Sequence, residues 1–293
     1  MTLSPRVVLV HRASEYTELV HRHGTRGQAQ FFLSQRGLDL ADVARRHQEL
    51  ERAITAVSAA VPVSWRRGSV ERQDLAQFLF APEDILVVVG QDGLVPNVAK
   101  YLAGQTVIGV NPGSEPGILV RHSPADAPEL MLAAAGGGLA VQARTMVAAT
   151  SDDGQELLAL NEIYLGQVTH QTARYTLRSP SGAERQASSG VLVSTGTGAT
   201  GWCGSAWLER HSELVLPQPT DRGLGWFVRE AWPSPGTGTR LTQGVLHEDR
   251  LELQIESDSL VAFGDGMESD SITLTRGQQV RIEIADRTLN LAA

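Results

Sequence analysis

Short apolar runs alternate with amphipathic stretches in the first part of the chain. Residues 7–10 and 85–89 are β-branched runs bounded by polar or turn residues, as expected of buried strands. Between them, residues 38–57 repeat apolar side chains at spacings of three, four and seven, which predicts a helix. A second helix over 97–102 and a third strand over 107–110 continue the alternation. This order predicts a Rossmann-like parallel sheet with helices on its faces.

The pattern changes after Asn111-Pro112-Gly113. Helical periodicity gives way to short strands separated by glycine, proline and serine, at residues 190–194, 251–255, 271–274 and 279–284. A turn at residues 179–182 is expected to fold this sheet back on itself. We therefore predict an α/β domain over residues 1–115 and an all-β, sandwich-like domain over residues 116–293.

Composition narrows the classes of function. The 293 residues carry 25 basic and 33 acidic side chains, a net charge of −8, which is the wrong sign for a nucleic-acid-binding protein. The single cysteine, Cys203, excludes an internal disulfide and a metal site built on paired cysteines. No apolar run approaches the roughly 18 residues that cross a bilayer, and the N-terminus lacks a signal-peptide pattern. We expect a cytoplasmic protein with neither a membrane nor a nucleic-acid partner.

The sharpest chemical signal is one acidic residue between glycines, where an apolar run ends in Gly90-Gln91-Asp92-Gly93. At the carboxyl end of a parallel strand, such a turn lets the backbone approach phosphates while the carboxylate of Asp92 projects into the crevice. The turn resembles the Gly-Gly-Asp-Gly-Thr motif of NAD kinases, which diacylglycerol kinases share and phosphofructokinases show in similar form. Gln91 replaces the second glycine and Leu94 the threonine. An ordinary Asp-Gly turn is the alternative interpretation.

A second motif follows the predicted strand at residues 190–194. Ser-Thr-Gly-Thr-Gly-Ala-Thr-Gly-Trp, from Ser194 to Trp202, resembles the NAD kinase signature Ser-Thr-Pro-Thr-Gly-Ser-Thr-Ala-Tyr. Its hydroxyls and glycine amides can bind ribose and phosphate oxygens, and the tryptophan offers an apolar face. The candidate nucleotide-binding residues are Thr195, Thr197, Gly198, Thr200 and Trp202. A Gly/Thr-rich surface loop is the alternative.

Three shorter segments extend the resemblance. Asn161-Glu162 resembles the pair that binds the nicotinamide-side ribose in the family, and a carboxylate can accept from a vicinal diol. Residues 107–111 resemble the family's Gly-Ile-Asn strand, although Ser114-Glu115-Pro116-Gly117-Ile118 replaces the Leu-Gly-Phe that normally follows. Gly264-Asp265-Gly266 resembles an Asp-Gly of the C-terminal strands. Because the matches occur in order over roughly residues 85–290, the chain is identified as a divergent member of the NAD kinase family.

The resemblance implies a phosphotransferase with ATP, or polyphosphate, as donor and the 2′-hydroxyl of NAD as acceptor. Asp92 would accept the acceptor's proton or hold the Mg²⁺ that organises the phosphates, and the residues alone do not choose. Gly90, Gln91 and Gly93 would border the phosphate path, and Asn161 and Glu162 would orient the acceptor. Family members are usually homodimers or homotetramers. Since the chain stops soon after Leu291, we expect the segment that returns to the first domain to be missing.

Other functions fit parts of the pattern. Gln91 and Leu94 could redirect the kinase to a nucleoside or sugar, and a non-catalytic nucleotide-binding protein is a second alternative. Arg22-His23-Gly24-Thr25-Arg26 matches the Arg-His-Gly-x-Arg of histidine acid phosphatases, with His247-Glu248 as a proton donor. That motif should directly follow a strand, whereas residues 15–21 predict a helix capped by Gly24. Arg26 would then bind phosphate within the kinase.

Overall fold

The computed structural model describes residues 4–113, 117–169, 171–268 and 270–293. The chain forms two compact units, one made of Met1–Gln142 with Asn290–Ala293 and the other of Ala143–Leu289. The chain therefore leaves the first unit after Gln142, later than the predicted domain boundary at residues 115 and 116. The replaced segment Ser114-Glu115-Pro116 lies outside the described residues.

The first unit is a parallel sheet with helices. Its elements are β1 (Arg6–His11), α1 (Glu15–His23), α2 (Arg26–Ser34), α3 (Leu40–Ala60), β2 (Arg66–Glu71), β3 (Asp84–Val89), α4 (Leu94–Ala99), β4 (Thr106–Val110) and α5 (Ala127–Ala135), with a 3₁₀ turn at Arg72–Gln77. The strands pair in parallel in the order β2-β1-β3-β4. The strands predicted at residues 7–10, 85–89 and 107–110 are thus confirmed. The second predicted helix is also present, but it begins three residues earlier, at Leu94.

Apolar periodicity explains why α3 forms and where it packs. Asp39 caps its first turn by accepting from the Ala41 amide at 2.8 Å. One face of α3, carrying Leu50 and Val57, is buried against β1, β3 and β4 together with Met131 of α5. Because every residue of β3 is buried, this strand carries no alternating polar side, as expected for a central parallel strand.

The end of the chain belongs to the first unit. Asn290 and Leu291 pair in parallel with Thr106 and Val107 of β4, and the Ala293 amide donates to Ala140 O at 3.0 Å. The prediction that the returning segment is missing is therefore wrong. The return consists of only a few residues at the end of one long strand, and a stretch this short carries no sequence pattern of its own.

In the part of the chain that the structure describes, the second unit is built from antiparallel strands and a short helix, and the strands that enter and leave it each have one end in the first unit. Its elements are β5 (Val141–Ser151), β6 (Glu156–Ala159), β7 (Glu162–Gly166), β8 (Ala173–Ser179), β9 (Gly182–Ser188), β10 (Gly190–Ser194), a 3₁₀ turn (Gly198–Thr200), α6 (Trp202–Glu209), β11 (Leu224–Arg229), β12 (Gln243–Leu246), β13 (Leu251–Ile255), β14 (Ser259–Gly264), β15 (Ser271–Thr275) and β16 (Gln279–Ala292). Six strands pair in the order β12-β11-β10-β7-β14-β15, and β16, β13, β8 and β9 form a second antiparallel set. The β-rich character predicted for this half is confirmed.

A large apolar core lies between the two sets of strands of the second unit. It is lined by alternate residues of both sets of strands, such as Leu165, Val191 and Trp226 from the first and Tyr175 and Leu253 from the second. The intervening residues Tyr164, Leu192 and Phe227 lie on the opposite face of the six-stranded sheet, where they form a second buried cluster with Cys203 of α6. Within the described ranges, none of the helices is long and apolar enough to cross a bilayer.

Candidate active site

Asp92 lies in the turn that joins β3 to α4, as predicted. The Leu94 amide donates to Gln91 O at 3.0 Å and the Val95 amide to Asp92 O at 3.1 Å, so the turn runs directly into the first turn of the helix. The half-buried carboxylate of Asp92 is not left to solvent. It accepts from three backbone amides, those of Ile118 at 2.8 Å, Leu119 at 2.8 Å and Val120 at 3.0 Å.

These three bonds give Asp92 a positioning role that the motif alone did not reveal. The carboxylate holds residues 118–120 close to the turn, and a side chain at Gly117 would come within 2.7 Å of Asp92 Oδ1. A carboxylate has about four lone-pair sites, so roughly one remains for a substrate or an ion. The same contacts explain why the chain has glycine at position 117.

The other residues of the turn divide into exposed and buried positions. Gln91 and Gly93 are exposed, which leaves both available to a ligand. Leu94 is 2% exposed and packs into the first unit, so the residue that replaces the family's threonine is a core residue. Its Cδ2 would lie 3.2 Å from a side chain added at Gly90, and this contact is a packing reason for glycine there.

In the second unit, strand register brings three separate motifs together. Glu162 at the start of β7 pairs with Ser194 at the end of β10, and Ile163 pairs with Gly264 at the end of β14. The Asn-Glu pair, the Ser-Thr-Gly loop and the Gly-Asp-Gly turn therefore lie at the same ends of three neighbouring strands of the six-stranded sheet. The sequence identified the motifs one by one, and the strand register shows that they form one cluster.

The hydroxyls of the Ser-Thr-Gly loop point inward. Ser194 Oγ donates to Asn161 O at 3.0 Å, and Thr195 Oγ1 donates to Leu160 O at 2.6 Å while accepting from the Thr197 amide at 3.1 Å. Thr200 Oγ1 donates to Thr197 O at 3.0 Å. These hydroxyls therefore fix the loop, and they would reach a nucleotide only after exchanging these partners.

Two glycines explain the close packing of this loop. A side chain at Gly196 would lie 2.1 Å from Gln218 O, and one at Gly198 would lie 2.4 Å from Asn161 O. Both positions therefore require glycine for close approach of backbone.

Glu162 is the most perturbed acid of the cluster. It is 8% exposed, and its pKa is raised from 4.5 to about 7, first by burial and then by the negative charge of Asp265. Asp265, at a backbone φ of 54°, accepts from the amides of Leu160 and Asn161 at 3.0 and 2.6 Å. A carboxyl group with a pKa near neutrality can either accept from a hydroxyl group or donate to one.

Trp202 packs inside the second unit at the start of α6. Its ring stacks on Tyr164 with centroids 5.2 Å apart, and the Arg229 guanidinium lies 5.3 Å from the ring. The indole remains partly exposed, so one part of it is free to meet a ligand. The predicted contact between Trp202 and a nucleoside stays a prediction.

Sequence reasoning missed Arg144 of β5. This arginine is 1% exposed, and its Nη1 donates to Thr197 Oγ1 at 3.3 Å. A lone arginine in a run of small and apolar residues gives no signal by spacing. Its burial becomes visible only in the structure, where a buried guanidinium needs polar partners.

The described residues fit a nucleotide-borne Mg²⁺ better than a protein-held one. They contain no group of three or more His, Cys, Asp or Glu side chains placed to hold a metal ion. Asp92 has roughly one lone pair left after its three amide bonds. Mg²⁺ is commonly bound through one or two carboxylates plus substrate phosphates, and Asp92 could serve as one such ligand.

The acid-phosphatase motif is placed at a junction of two helices. Residues 22 and 23 end α1, Gly24 caps it at a φ of 79°, and Arg26 begins α2. The His23 ring packs on Phe32 at a centroid distance of 4.2 Å. Because a helix and not a strand precedes it, the motif lacks the setting that phosphatase chemistry needs.

Comparisons with known proteins agree with these features. The chain is 27% identical over 141 residues to an NAD kinase from Chlorobaculum tepidum, covering 46% of this chain and 47% of that protein. It is 30% identical over 131 residues to an NAD kinase from Geobacter metallireducens, covering 42% and 46%. Each match thus spans about half of the relative's length. No protein-family model matches the chain.

A solved structure shares the fold across nearly the whole chain. The crystal structure of an NAD kinase from Archaeoglobus fulgidus in complex with ATP superposes with a TM-score of 0.58 and 18% identity, covering 98% of this chain and 93% of that one. The predicted fold, an α/β domain followed by a β-sandwich-like domain, is confirmed by this likeness.

Proposed function

We propose that this chain, a divergent member of the NAD kinase family, transfers the terminal phosphoryl group of ATP to a ribose-type hydroxyl, with the 2′-hydroxyl of NAD as acceptor. The observation that carries the proposal is the cluster in the second unit. Three motifs separated by up to 105 residues, Asn161-Glu162, Thr195-Gly196-Thr197 and Asp265, are tied together by direct hydrogen bonds. A cluster of this composition suits a ribose, because Asn161 and Glu162 place an amide beside a carboxyl group.

The roles of the residues follow from their chemistry. In the transfer, the acceptor oxygen forms a bond to the terminal phosphorus, the bridging P–O bond breaks, and ADP leaves. The hydroxyl proton passes to a base, for which we assign the remaining lone pair of Asp92. Bound Mg²⁺ would neutralise phosphate charge, and the exposed amide of Gln91 can donate to a phosphate oxygen. Asn161 and Glu162 are assigned to the acceptor ribose.

Two observations bear on the identity of the acceptor. The match to NAD kinases covers only part of each relative, and Gln91 departs from the family turn. Kinases for other nucleosides or sugars, and a nucleotide-binding protein without catalysis, are the competing functions. Homodimeric or homotetrameric assembly belongs to the same proposal.

An acceptor screen tests the proposal. The purified protein is incubated with Mg²⁺, γ-labelled ATP and one acceptor at a time, namely NAD, NADH, nucleosides and sugars, and labelled product is separated from ATP. A parallel arm supplies polyphosphate as donor. Labelled NADP formed by the wild type and not by Asp92→Asn supports the assignment. Transfer to another acceptor in preference to NAD, or no transfer to any, would refute the NAD assignment or the catalytic one.

A further inference from the structure

A polar cavity of about 560 Å³ lies in the second unit, away from the cluster around Glu162. Its lining includes Gln167, just beyond the end of β7, and Ser259, the first residue of β14. Glu162 and Gly264 stand at the opposite ends of these two strands. The two ends of the five-residue strand β7 are four steps of about 3.3 Å apart, or roughly 13 Å. The cavity is therefore a place distinct from the candidate active site.

The charges that line this cavity are unequal. Three arginines face it together with two carboxylates. The Glu256 carboxylate is engaged by Arg185 Nε at 2.6 Å and by Thr176 Oγ1 at 2.8 Å, and Asp258 accepts from Arg276 Nη2 at 2.8 Å. Two positive and two negative charges are thus paired, which leaves the third arginine as the excess charge.

That third arginine is Arg174, the second residue of β8. Its backbone is fixed, because its amide donates to Ser257 Oγ at 2.9 Å and its carbonyl accepts from the amides of Glu256 and Ser257. Its guanidinium is exposed and makes no hydrogen bond or ion pair with any of the residues that the structure describes. The Arg174 guanidinium, whose five N–H donors bind none of the described residues, is therefore held at the cavity by a fixed backbone.

We propose that this cavity is a second ligand site that binds a phosphomonoester of sugar-phosphate or mononucleotide size, with Arg174 as its anchor. Arginine binds phosphate through two parallel N–H···O bonds, and the two glutamines of the lining, with the hydroxyls of Thr172 and Ser259, supply neutral donors for the remaining oxygens. The volume falls in the range, roughly 300–1,000 Å³, of sites for small molecules. The paired carboxylates Glu256 and Asp258 disfavour a highly charged anion, so the site suits one phosphate group and not a polyphosphate.

The site connects by a direct covalent path to the candidate active site. β14 begins at the cavity with Ser259 and ends at Gly264, and Asp265 follows at once with its two bonds to the amides of Leu160 and Asn161. The binding claim itself does not depend on the proposed kinase activity.

Calorimetric titration with ribose 5-phosphate tests the site, with ribose as the uncharged probe and the ionic strength held constant. Arg174→Gln should weaken binding of ribose 5-phosphate at least about tenfold, since a hydrogen bond to a charged group contributes that much or more. Arg174→Lys keeps the positive charge but loses the two parallel N–H donors of the guanidinium. Its affinity for ribose 5-phosphate should therefore lie between those of the wild type and Arg174→Gln. Arg178→Gln is the matched control, because Arg178 is an exposed residue of the same strand that does not line the cavity.

Equal affinity of the wild type and Arg174→Gln would overturn the proposal, because any binding would then occur elsewhere, including at the candidate active site. Equal binding of ribose and ribose 5-phosphate by the wild type would also overturn it. So would the absence of saturable binding by the wild type in the millimolar range. Since the Arg174 side chain has no partner among the described residues, Arg174→Gln should keep the wild-type thermal midpoint without ligand, which confirms that it folds.

Discussion

Glu162→Gln should change how the stability of the second unit depends on pH. The pKa of Glu162 is raised to about 7 in the folded protein from a usual 4.5, so the folded state binds more protons than the unfolded chain between these values. Stability therefore falls as pH rises through this interval. The energetic cost from this group is about 1.4 kcal/mol at pH 5.5 and about 3 kcal/mol at pH 8. Glutamine is close to glutamate in shape and carries no charge, so the variant should lack this cost.

The assay is urea unfolding followed by tryptophan fluorescence at pH 5.5 and pH 8. Four of the five tryptophans report on the second unit, namely Trp202, Trp207, Trp226 and Trp232. Between the two pH values, the wild type should lose about 2 kcal/mol more unfolding free energy than Glu162→Gln. The control is Glu156→Gln, which removes an exposed glutamate at the start of β6 and should follow the wild type.

A wild type and a Glu162→Gln variant with parallel pH profiles would show that Glu162 is not buried beside a negative charge as described. A difference that grows toward low pH instead of high pH would mean that the carboxylate is stabilised in the fold, and the cause assigned to Asp265 would be wrong. A titration of Glu162 followed by NMR supplies the same pKa without unfolding.

Substitutions at four further positions test the assigned roles. Asp92→Asn should lower turnover at least about a hundredfold. It should also speed hydrogen exchange of the backbone amides at 118–120, because an NH2 group replaces one of the two oxygens that accept from them. Normal turnover together with normal exchange would contradict both the catalytic and the positioning role. Trp202→Ala should raise the Michaelis constant for NAD more than it lowers turnover, and Trp202→Tyr should restore it; an unchanged constant makes Trp202 a packing residue. Gln91→Gly should raise the ratio of specificity constants for NAD over the next best acceptor, and an unchanged ratio would show that this residue is neutral. Adding Leu94→Thr should cost about 2 kcal/mol or more in unfolding free energy, measured by urea denaturation, because Leu94 is buried.

The sequence predicted those helices and strands whose own residues show a recognisable apolar pattern. The run at 85–89 is apolar throughout because β3 is buried on both faces, and the periodicity of residues 38–57 matches the buried face of α3. By contrast, β2 (Arg66–Glu71) lies on the edge of the sheet, has Val70 as its only apolar residue larger than glycine, and was not predicted. The return of Asn290 and Leu291 was missed because strand pairing between distant segments leaves no local pattern.

The sequence identified the residues of the candidate site but not the hydrogen bonds between them. Chain order identified Asp92, Glu162 and the Ser-Thr-Gly loop, yet it could not show that the loop hydroxyls bond to the carbonyls of Leu160 and Asn161. It also gave Leu94 a part in the choice of acceptor, whereas the structure buries this side chain in the core. Such contacts depend on strand register, which a single sequence does not fix.

The last strand has a consequence for how the protein is made. Residues 290–293 complete the sheet of the first unit, yet the ribosome synthesises them after the entire second unit. During translation, the edge of β4 that later pairs with Asn290 and Leu291 is an unpaired row of amides and carbonyls. The first unit of the nascent chain therefore keeps an open edge at β4 until the second unit has left the ribosome. A chaperone bound at this edge would prevent β4 from pairing with another chain.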